Sequence, residues 1–348
     1  MEALGTLIQK LSSPRKIVIT THVKPDADAL GSSLGLSNYL IKKGHEVTVI
    51  SPSDYPYFLT WMKGNDQVLD FSKERDHKIA LGKLEKAELI FCLDFSVLSR
   101  VNELGELIRH SQAFTVNIDH HQDPEDFAEF RLWSTKAAAT CELVYELIVE
   151  LGDKKLIDKN IASCLYAGIL TDTGGFRHPN TTKNVHIVVA ELLEAGANAT
   201  EIANLIYDSN SLNRLKFIGF AITKRLVVRE DLHLAYFVIS KKDLKKYQSQ
   251  TGDTEGLVNY ALSLDGVKLA ALFSEREDGV KISFRSSVDV AVNKFAAAHF
   301  GGGGHKNAAG GKSSASLKKT VARFESLVQE YQEDLFDSKE VPTLKPQT

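Results

Sequence analysis

The sequence predicts an α/β protein with two domains, a doubly wound parallel-sheet domain followed by a smaller mixed α/β domain. Its 348 residues are too many for one typical domain of ~150 residues. Up to residue 195, short β-branched runs alternate with amphipathic helical patterns, which is typical of a parallel sheet with crossover helices. Beyond residue 225 the pattern changes to closely spaced strand-like runs, which indicates a second sheet.

In the first domain, residues 1–195, we predict four strands, at 16–22, 47–50, 87–94 and 113–119. Helical patterns lie at 28–43, about 136–151, 159–171 and 183–195. The strands are apolar on both faces, so we expect helices to cover both sides of the sheet.

A linker or hinge is predicted at 196–225, and the second domain at 226–335. There we predict strands within 226–239 and at 267–273 and 280–285, and helices near 240–263, 289–299 and 315–332. Residues 336–348 contain two prolines and few apolar side chains, and we predict a disordered tail.

The composition is that of an ordinary soluble protein with a hydrophobic core. Hydrophobic residues make up 43% and charged residues 25%, which excludes disordered and collagen-like chains. The apolar runs are shorter than the ~20 residues that cross a bilayer, and the N-terminus lacks the apolar region of a secretory signal. Cys92, Cys141 and Cys164 lie among apolar neighbours without metal-type spacing, so we expect reduced, buried thiols and a cytoplasmic location.

The charge is divided unevenly along the chain. Residues 1–211 carry 21 Lys and Arg against 29 Asp and Glu, whereas residues 212–312 carry 16 against 10. We therefore expect the first half to hold cations and the second half to hold anions. Because the chain as a whole has a net charge of −3, a long nucleic-acid tract is not expected, and any nucleic-acid substrate should be short.

Polar, chemically active side chains follow three of the predicted strands. The first strand is followed by His22 and Lys24-Pro25-Asp26-Ala27-Asp28, the third ends in Asp94, and the fourth ends in Asp119-His120-His121. Asp172 ends the helix at 159–171. Ligands of open parallel sheets bind beyond the carboxyl ends of the strands. We therefore expect one crevice to contain six of these side chains, namely His22, Asp26, Asp28, Asp94, His120 and Asp172.

Four carboxylates at short range repel each other unless cations neutralise them. Two divalent ions, bridged by Asp94, would neutralise these carboxylates. A ligand set that mixes imidazole with carboxylate favours Mn²⁺, Fe²⁺, Co²⁺ or Zn²⁺ over Mg²⁺. Such a pair of ions can catalyse hydrolysis at phosphorus. Taken singly, Asp28 could instead be a helix cap and Asp172 part of a turn. Asp119 could either ligate a metal or orient an imidazole.

A second cluster is the glycine-rich segment 300–311, which contains Gly301-Gly302-Gly303-Gly304-His305-Lys306. Glycines allow backbone N–H groups to approach an anion, although a flexible turn is the alternative interpretation. The segment lies in the basic half of the chain, about 20 residues after Arg285, which favours phosphate binding. Its spacing matches neither the Walker nor the Rossmann fingerprint.

Together these motifs resemble those of the DHH phosphoesterase superfamily, and residues 300–311 resemble the GGGH signature of its DHH-associated C-terminal domain. The resemblance covers residues 14–312. Within the superfamily, the chain is most similar to the nanoRNase/pAp-phosphatase (NrnA-like) group. It implies two Mn²⁺ ions, one held by His22, Asp26 and Asp94 and one by Asp28, Asp94, His120 and Asp172. His121 would face the scissile phosphate, and the substrate phosphate would be held by Arg285, Gly303, Gly304 and His305. The common form of the first motif has Asn-Pro-Asp-Gly-Asp where this chain has Lys24-Pro25-Asp26-Ala27-Asp28.

The resemblance implies a Mn²⁺-dependent phosphoesterase with its active site in the cleft between the two domains. It would hydrolyse short oligonucleotides to mononucleotides, and pAp to AMP and phosphate, by attack of a hydroxide activated by two metals. The expected partners are short RNA or DNA oligonucleotides or nucleotides. Binding to a membrane is not expected, and the chain could form a homodimer. One alternative is a phosphodiesterase for pApA or cyclic dinucleotides, and a second is a non-catalytic nucleotide sensor.

Overall fold

The computed structural model describes residues 2–287 and 289–331. The chain forms two compact units that divide between Ser209 and Asn210. This division falls within the segment 196–225 that was predicted as a linker. There the structure has α8 (Ala199–Ala203), a π-helical turn (Asn204–Asp208) and α9 (Leu212–Lys224). The predicted tail at 336–348 lies outside the described residues.

The first unit contains a six-stranded sheet in which every neighbouring pair of strands is parallel. The strand order is β3-β2-β1-β4-β5-β6. The order reverses between β1 and β4, and such a switch point opens a crevice at the carboxyl ends of the strands. The strands are β1 (Lys16–Thr21), β2 (Glu46–Ser51), β3 (Leu69–Asp70), β4 (Leu89–Leu93), β5 (Phe114–Asp119) and β6 (Phe130–Trp133).

Helices cover both faces of this sheet, as predicted. Ile17 and Ile19 of β1 pack into a core with α2, α5, α6 and α7, whereas Val18 between them packs into a second core with α3 and α4. The first-unit helices before α8 are α1 (Glu2–Lys10), α2 (Ala27–Lys42), α3 (Glu74–Glu85), α4 (Glu103–Arg109), α5 (Thr140–Glu150), α6 (Lys159–Asp172) and α7 (Lys183–Glu194).

The sequence interpretation missed the shorter or more polar elements of this unit, α1, β3, α3, α4 and β6. In α3 only Ala80 and Leu84 are buried, so the apolar stripe is too narrow to give a clear period. The two missed strands are β3, with two residues, and β6, with four residues at the edge of the sheet.

The second unit contains a mixed six-stranded sheet in the order β11-β12-β10-β9-β8-β7. Its strands are antiparallel except for the parallel pair β8 and β9. The strands are β7 (Leu226–Arg229), β8 (Leu234–Ile239), β9 (Leu269–Arg276), β10 (Gly279–Ser286), β11 (Gly303–His305) and β12 (Ala308–Ser313). The helices after α9 are α10 (Lys241–Lys246), α11 (Leu257–Leu262), α12 (Val292–Phe300) and α13 (Leu317–Glu330).

The single helix predicted near 240–263 was wrong, because the structure has α10 and α11 separated by a turn-rich segment. Gly252 and Gly256 within that segment adopt positive φ angles of 98° and 76°, which a continuous helix cannot contain. In the described residues no helix is long and apolar enough to cross a membrane. Cys92, Cys141 and Cys164 are buried free thiols, as expected.

Candidate metal centre

The candidate metal centre lies at the carboxyl ends of three neighbouring strands. His22 follows β1, Asp94 follows β4, and Asp119 is the last residue of β5. Since β4 pairs with both β1 and β5, these three positions lie side by side at the edge of the sheet. His120 and His121 continue from β5 into the same region.

The loop after β1 brings two more carboxylates to this edge. Asp26 is the N-cap of α2, where its Oδ1 accepts hydrogen bonds from the backbone N–H groups of Asp28 and Ala29 at 3.0 Å. Asp28 lies in the first turn of α2 and is completely buried. Its carboxylate accepts hydrogen bonds from the N–H groups of Thr140 and Cys141, at 2.7 and 2.9 Å. Those residues open α5, so the positive end of a helix holds this buried carboxylate.

His120 connects the carboxylates of three different elements. Its Nε2 lies 3.7 Å from Asp28 Oδ2, 3.5 Å from Asp94 Oδ1 and 3.4 Å from Asp172 Oδ2. On the other side, His22 Nε2 lies 3.4 Å from Asp94 Oδ2. Asp26 also lies here, since its potential ligand atom is within 4.8 Å of those of His22 and Asp94, so all six residues predicted to meet in one crevice are brought together.

Asp94 belongs to three groups of residues that could each hold a metal ion. Its partners are His22 and Asp26 in the first group, Asp28 and His120 in the second, and Asp119 and His121 in the third. In each group the potential ligand atoms lie within 4.8 Å of one another. Asp94 is 2% exposed and its two oxygens face different histidines. This arrangement is what a carboxylate that bridges two ions requires.

Burial and mutual repulsion shift the protonation of these groups. Burial, together with the charge of Asp94, raises the pKa of Asp28 to about 8. Burial and the charges of Asp28 and Asp26 raise the pKa of Asp172 well above its ordinary value. Burial opposes the charged form of His120, but its hydrogen bond to Asp94 and the charge of Asp172 outweigh burial and raise its pKa. The residues therefore carry an excess of negative charge that protons offset when no cation is bound.

The donor set fits divalent cations. Among the described residues, no lysine or arginine pairs with Asp26, Asp28, Asp94, Asp119 or Asp172. Asp119 is completely buried, and its Oδ2 has no hydrogen-bond partner in the described part of the chain. Buried carboxylates without a cationic partner are costly unless a metal compensates them. Carboxylate and imidazole ligands together suit a transition-metal ion.

His121 is oriented by Asp119. Its Nδ1 lies 2.8 Å from Asp119 Oδ1, and the indole N–H of Trp133 donates to the His121 carbonyl at 2.6 Å. The contact with the carboxylate fixes the orientation of the imidazole ring. Of the two alternatives for Asp119, the contact favours an orienting role.

Three contributors to the site were missed in the sequence. The hydroxyl of Thr140 donates to Asp94 Oδ1 at 2.8 Å. Asn117 on β5 donates to the carbonyls of Cys92 and Phe95, which flank Asp94, at 3.1 and 3.0 Å. Gly168 on α6 lies so close to Asp28 that an added Cβ would meet Asp28 Oδ1 at 2.7 Å. None of these residues lies near its partner in sequence, so no local motif could reveal them.

The substrate-binding residues predicted in the second unit lie on neighbouring strands. Arg285 of β10 and His305 of β11 are both register partners of Ala308 on β12. Directly opposed residues of antiparallel strands project from the same face, so the two side chains share one face of the sheet. Gly303 and Gly304 precede His305 on β11, and Gly304 has a φ of 135° that favours glycine. The glycine-rich segment is thus partly a strand.

Known proteins match both units. Residues 16–169 match the DHH family, N-terminal domain, and residues 232–334 match the DHHA1 domain. The chain is 31% identical to the bifunctional oligoribonuclease and PAP phosphatase NrnA of Thermus thermophilus, over 89% of this chain and 87% of that protein. It is 30% identical to the probable bifunctional oligoribonuclease and PAP phosphatase NrnA of Streptococcus mutans, over 90% of this chain and 94% of that protein.

A solved structure agrees with these matches. An exopolyphosphatase-related protein of Bacteroides fragilis superposes with a TM-score of 0.88 at 34% identity, and the match covers 95% of this chain and 96% of that one. The relatives and the two domains agree over most of the length. The chain therefore belongs to the DHH family of phosphoesterases, which are hydrolases.

Proposed function

We propose that this protein hydrolyses short oligonucleotides to mononucleotides and also converts pAp to AMP and phosphate. The observation that carries the proposal is the largely buried cluster around Asp94, where five carboxylates and three imidazoles converge at the switch point of a parallel sheet. The two NrnA relatives at 30% and 31% identity, named for oligoribonuclease and PAP phosphatase activity, support this choice of substrates.

We propose that the cluster binds two divalent ions, with Mn²⁺ preferred. His22, Asp26 and Asp94 would hold one ion, and Asp28, Asp94, His120 and Asp172 the other. A bound pair of such ions supplies a hydroxide nucleophile at neutral pH and neutralises charge that develops on phosphorus. The resemblance to DHH enzymes and the mixed imidazole and carboxylate donors both favour Mn²⁺ over Mg²⁺.

His121 is our candidate for the group that contacts the scissile phosphate. Its Nδ1 is held by Asp119, which keeps the ring in one orientation. In that orientation the ring would donate to the leaving oxygen, because a positioned imidazole is an effective general acid.

Arg285 and His305, with the backbone of Gly303 and Gly304, are our candidates for binding the substrate phosphate. They share one face of the second sheet, and a guanidinium binds phosphate with two parallel hydrogen bonds. A limit on the length of the bound substrate is part of the proposal. We also propose a cytoplasmic location, consistent with three buried free thiols. Light scattering would test whether the protein forms the homodimer considered above.

A substrate panel tests this function. The metal-depleted protein would be assayed with Mn²⁺ or Mg²⁺ on RNA dinucleotides, a long RNA, pAp, pApA and cyclic di-AMP. We expect the highest kcat/KM on RNA dinucleotides and pAp with Mn²⁺, and little cleavage of the long RNA. Asp28→Ala and His120→Ala should abolish turnover, since each removes a metal ligand.

Other results of the panel would change the assignment. Preference for pApA or cyclic di-AMP would identify a signalling phosphodiesterase, and tight binding without turnover would identify a sensor. Equal rates on dinucleotides and long RNA would contradict the proposed length limit. Near-normal turnover of Asp28→Ala would contradict the assignment of the second ion.

A further inference from the structure

Trp133 is an exposed aromatic side chain beside the metal centre. It is the last residue of β6, the edge strand of the first sheet, and its register partner on β5 is Asp119. Tryptophan is large and on average highly buried in folded proteins. Trp133 is nevertheless 41% exposed, so a considerable aromatic surface remains accessible at this edge of the sheet.

A hydrogen bond determines where the ring lies. The indole N–H of Trp133 donates to the carbonyl oxygen of His121 at 2.6 Å, two residues beyond the register partner Asp119. Since β5 ends at Asp119, the indole extends past the carboxyl end of that strand, which is the edge where the metal centre lies. The imidazole Nδ1 of His121 is 3.6 Å from Asp94 Oδ1. Trp133 is therefore bonded to the residue whose imidazole is proposed to contact the scissile phosphate.

This hydrogen bond distinguishes Trp133 from an ordinary exposed apolar residue. Single apolar side chains are common on protein surfaces and need no function. The polar atom of the indole is already occupied by the His121 carbonyl, so the two faces of the ring are what Trp133 presents to a ligand. A ring that is held in one orientation also loses little conformational entropy when a planar group stacks on it.

The planar group that fits such a ring at a phosphoesterase site is a nucleobase. Every base has a π-face, so an aromatic side chain stacks on any of them without reading their hydrogen-bonding edges. The proposed substrates, short oligonucleotides and pAp, carry a base close to each phosphate. The carboxylates and imidazoles of the metal centre suit cations and phosphate, whereas Trp133 offers the apolar surface that a base requires.

We propose that Trp133 stacks on the base next to the phosphate at the metal centre, and thereby selects nucleotides without selecting their sequence. This role rests on the proposed function and adds its specificity. All four bases are accepted, purines are bound more tightly than pyrimidines because stacking strength sets the preference, and sugar phosphates without a base bind weakly. Trp133 is a substrate-binding residue and takes no part in bond cleavage.

The fluorescence of Trp133 tests the stacking without an activity assay. The chain has two tryptophans, and Trp61→Phe leaves Trp133 as the only fluorescent indole while keeping an aromatic side chain against the core that Trp61 contacts. The full chain with this substitution would be titrated with AMP, UMP and ribose 5-phosphate at a constant concentration of Mn²⁺. We expect AMP to quench the fluorescence saturably, UMP to do so at higher concentration, and ribose 5-phosphate to leave it unchanged.

Steady-state kinetics on pAp provides a second measurement. Trp133→Leu removes the aromatic surface, and we expect KM to rise about 5- to 100-fold, the range for one base stacked on an aromatic ring, with kcat nearly unchanged. Trp133→Phe should restore most of this loss. Both variants lack the indole N–H, so the difference between them measures the aromatic face alone. Ile79→Ala, at a 46% exposed isoleucine on α3, is the matched control for loss of exposed apolar surface and should change neither value.

Three results would overturn the stacking role: quenching by ribose 5-phosphate equal to that by AMP, no quenching by AMP at millimolar concentration, or equal KM values for Trp133→Leu and Trp133→Phe. Hydrolysis of pAp by the unmodified protein would stand in each case, and with it the proposed function. A protein that hydrolysed neither pAp nor RNA dinucleotides would contradict the proposed function instead. Quenching by AMP but not by ribose 5-phosphate would still support stacking on Trp133.

Discussion

At the scale of single residues, Asp94 is the centre of the site and also its most constrained member. Its φ of 65° is unusual for a residue other than glycine. The carbonyls on either side of it are held by Asn117, and its own Oδ1 is held by Thr140. Such a conformation persists only where surrounding contacts enforce it, and it is common at functional sites. The neighbours of Asp94 therefore serve its geometry as well as the stability of the fold.

The Asp119–His121 contact leads to the first prediction. Asp119→Asn keeps the size of the side chain but removes the charge that fixes the His121 ring at 2.8 Å. We expect kcat to fall by about 10²–10⁴-fold, the contribution of a positioned general acid, with little change in KM. Steady-state kinetics on pAp measures this. Glu129→Gln, at a carboxylate that binds the backbone of Thr115 on the same strand, is the control. A larger effect on KM than on kcat would contradict the orienting role.

Arg285 leads to a second prediction, in which KM changes and kcat does not. Arg285→Ala removes a guanidinium proposed to bind phosphate in the ground state and the transition state alike. We expect KM to rise by about tenfold to a hundredfold with kcat nearly unchanged. Lys318→Ala, at an exposed cation of the same unit on α13, should change neither value. A loss of kcat at normal KM would place Arg285 in the chemical step instead.

At the scale of secondary-structure elements, the buried carboxylate of Asp28 depends on close packing of α2 and α6. Gly168 allows this approach, and Gly168→Ala would force a methyl group against Asp28 and Cys141. We expect a loss of about 1–3 kcal/mol in the free energy of unfolding and a fall in kcat. Denaturant melts and kinetics together measure this.

Gly82→Ala is the control for that variant, since nothing lies within 4 Å of a Cβ at Gly82 in α3. We expect it to gain about 0.5–1 kcal/mol, because alanine restricts the unfolded chain, and to keep normal activity. If Gly168→Ala behaved in the same way, α2 and α6 would not be packed as described.

The start of α10 gives a pH-dependent prediction. Asp243 is 5% exposed and forms a capping box with Ser240 and two hydrogen bonds with Arg225, at 3.0 and 2.8 Å. Burial opposes the charged form, but the bonds from Arg225 and Ser240 outweigh it and lower the pKa of Asp243 below its ordinary 3.8. A carboxyl with a lowered folded-state pKa stabilises the fold above its unfolded pKa, and this stability is lost as the pH falls through the folded pKa.

We therefore expect the free energy of unfolding to fall with decreasing pH below about 4, and to do so less steeply in Asp243→Asn. The variant should also be less stable near pH 7, by about 2 kcal/mol. Urea melts between pH 3 and pH 7 would measure both effects. Parallel pH profiles for the variant and the unmodified protein would contradict this account.

At the scale of the whole molecule, the two units have separate cores and distinct chemistry. Both tryptophans, Trp61 and Trp133, belong to the first unit, which also contains the candidate metal centre. Tryptophan fluorescence therefore reports unfolding of that unit alone, whereas circular dichroism reports both units.

This separation allows metal binding to be tested without an activity assay. A chelator should lower the fluorescence melting midpoint by about 5 °C or more, because a bound ion stabilises only the folded state. Added Mn²⁺ should restore it, and the transition of the second unit should not move. Identical midpoints with and without chelator would contradict the metal centre.

Much of the site could be predicted from the sequence because of one physical regularity. Residues that follow parallel strands meet at one edge of the sheet, so the positions of His22, Asp94 and His120 after three strands predicted their convergence. Continuous β-branched and apolar runs predicted the principal strands of the first sheet, because strands covered by helices on both faces bury both sets of side chains. Short or polar elements such as β3 and α3 lack a clear period, and the pattern at 240–263 suggested one helix where glycines divide it in two.

The sequence alone predicts the chemistry of this protein: the types of candidate ligand, their order along the chain and the acidic and basic halves. The side chains that hold those candidate ligands in place were identified from the fold. Asp28 is fixed by the N–H of Thr140 across 112 positions of sequence, and the Phe95 carbonyl beside Asp94 is held by Asn117 across 22 positions. Such contacts arise from packing between elements distant in the chain, and a local pattern of residues contains no record of them.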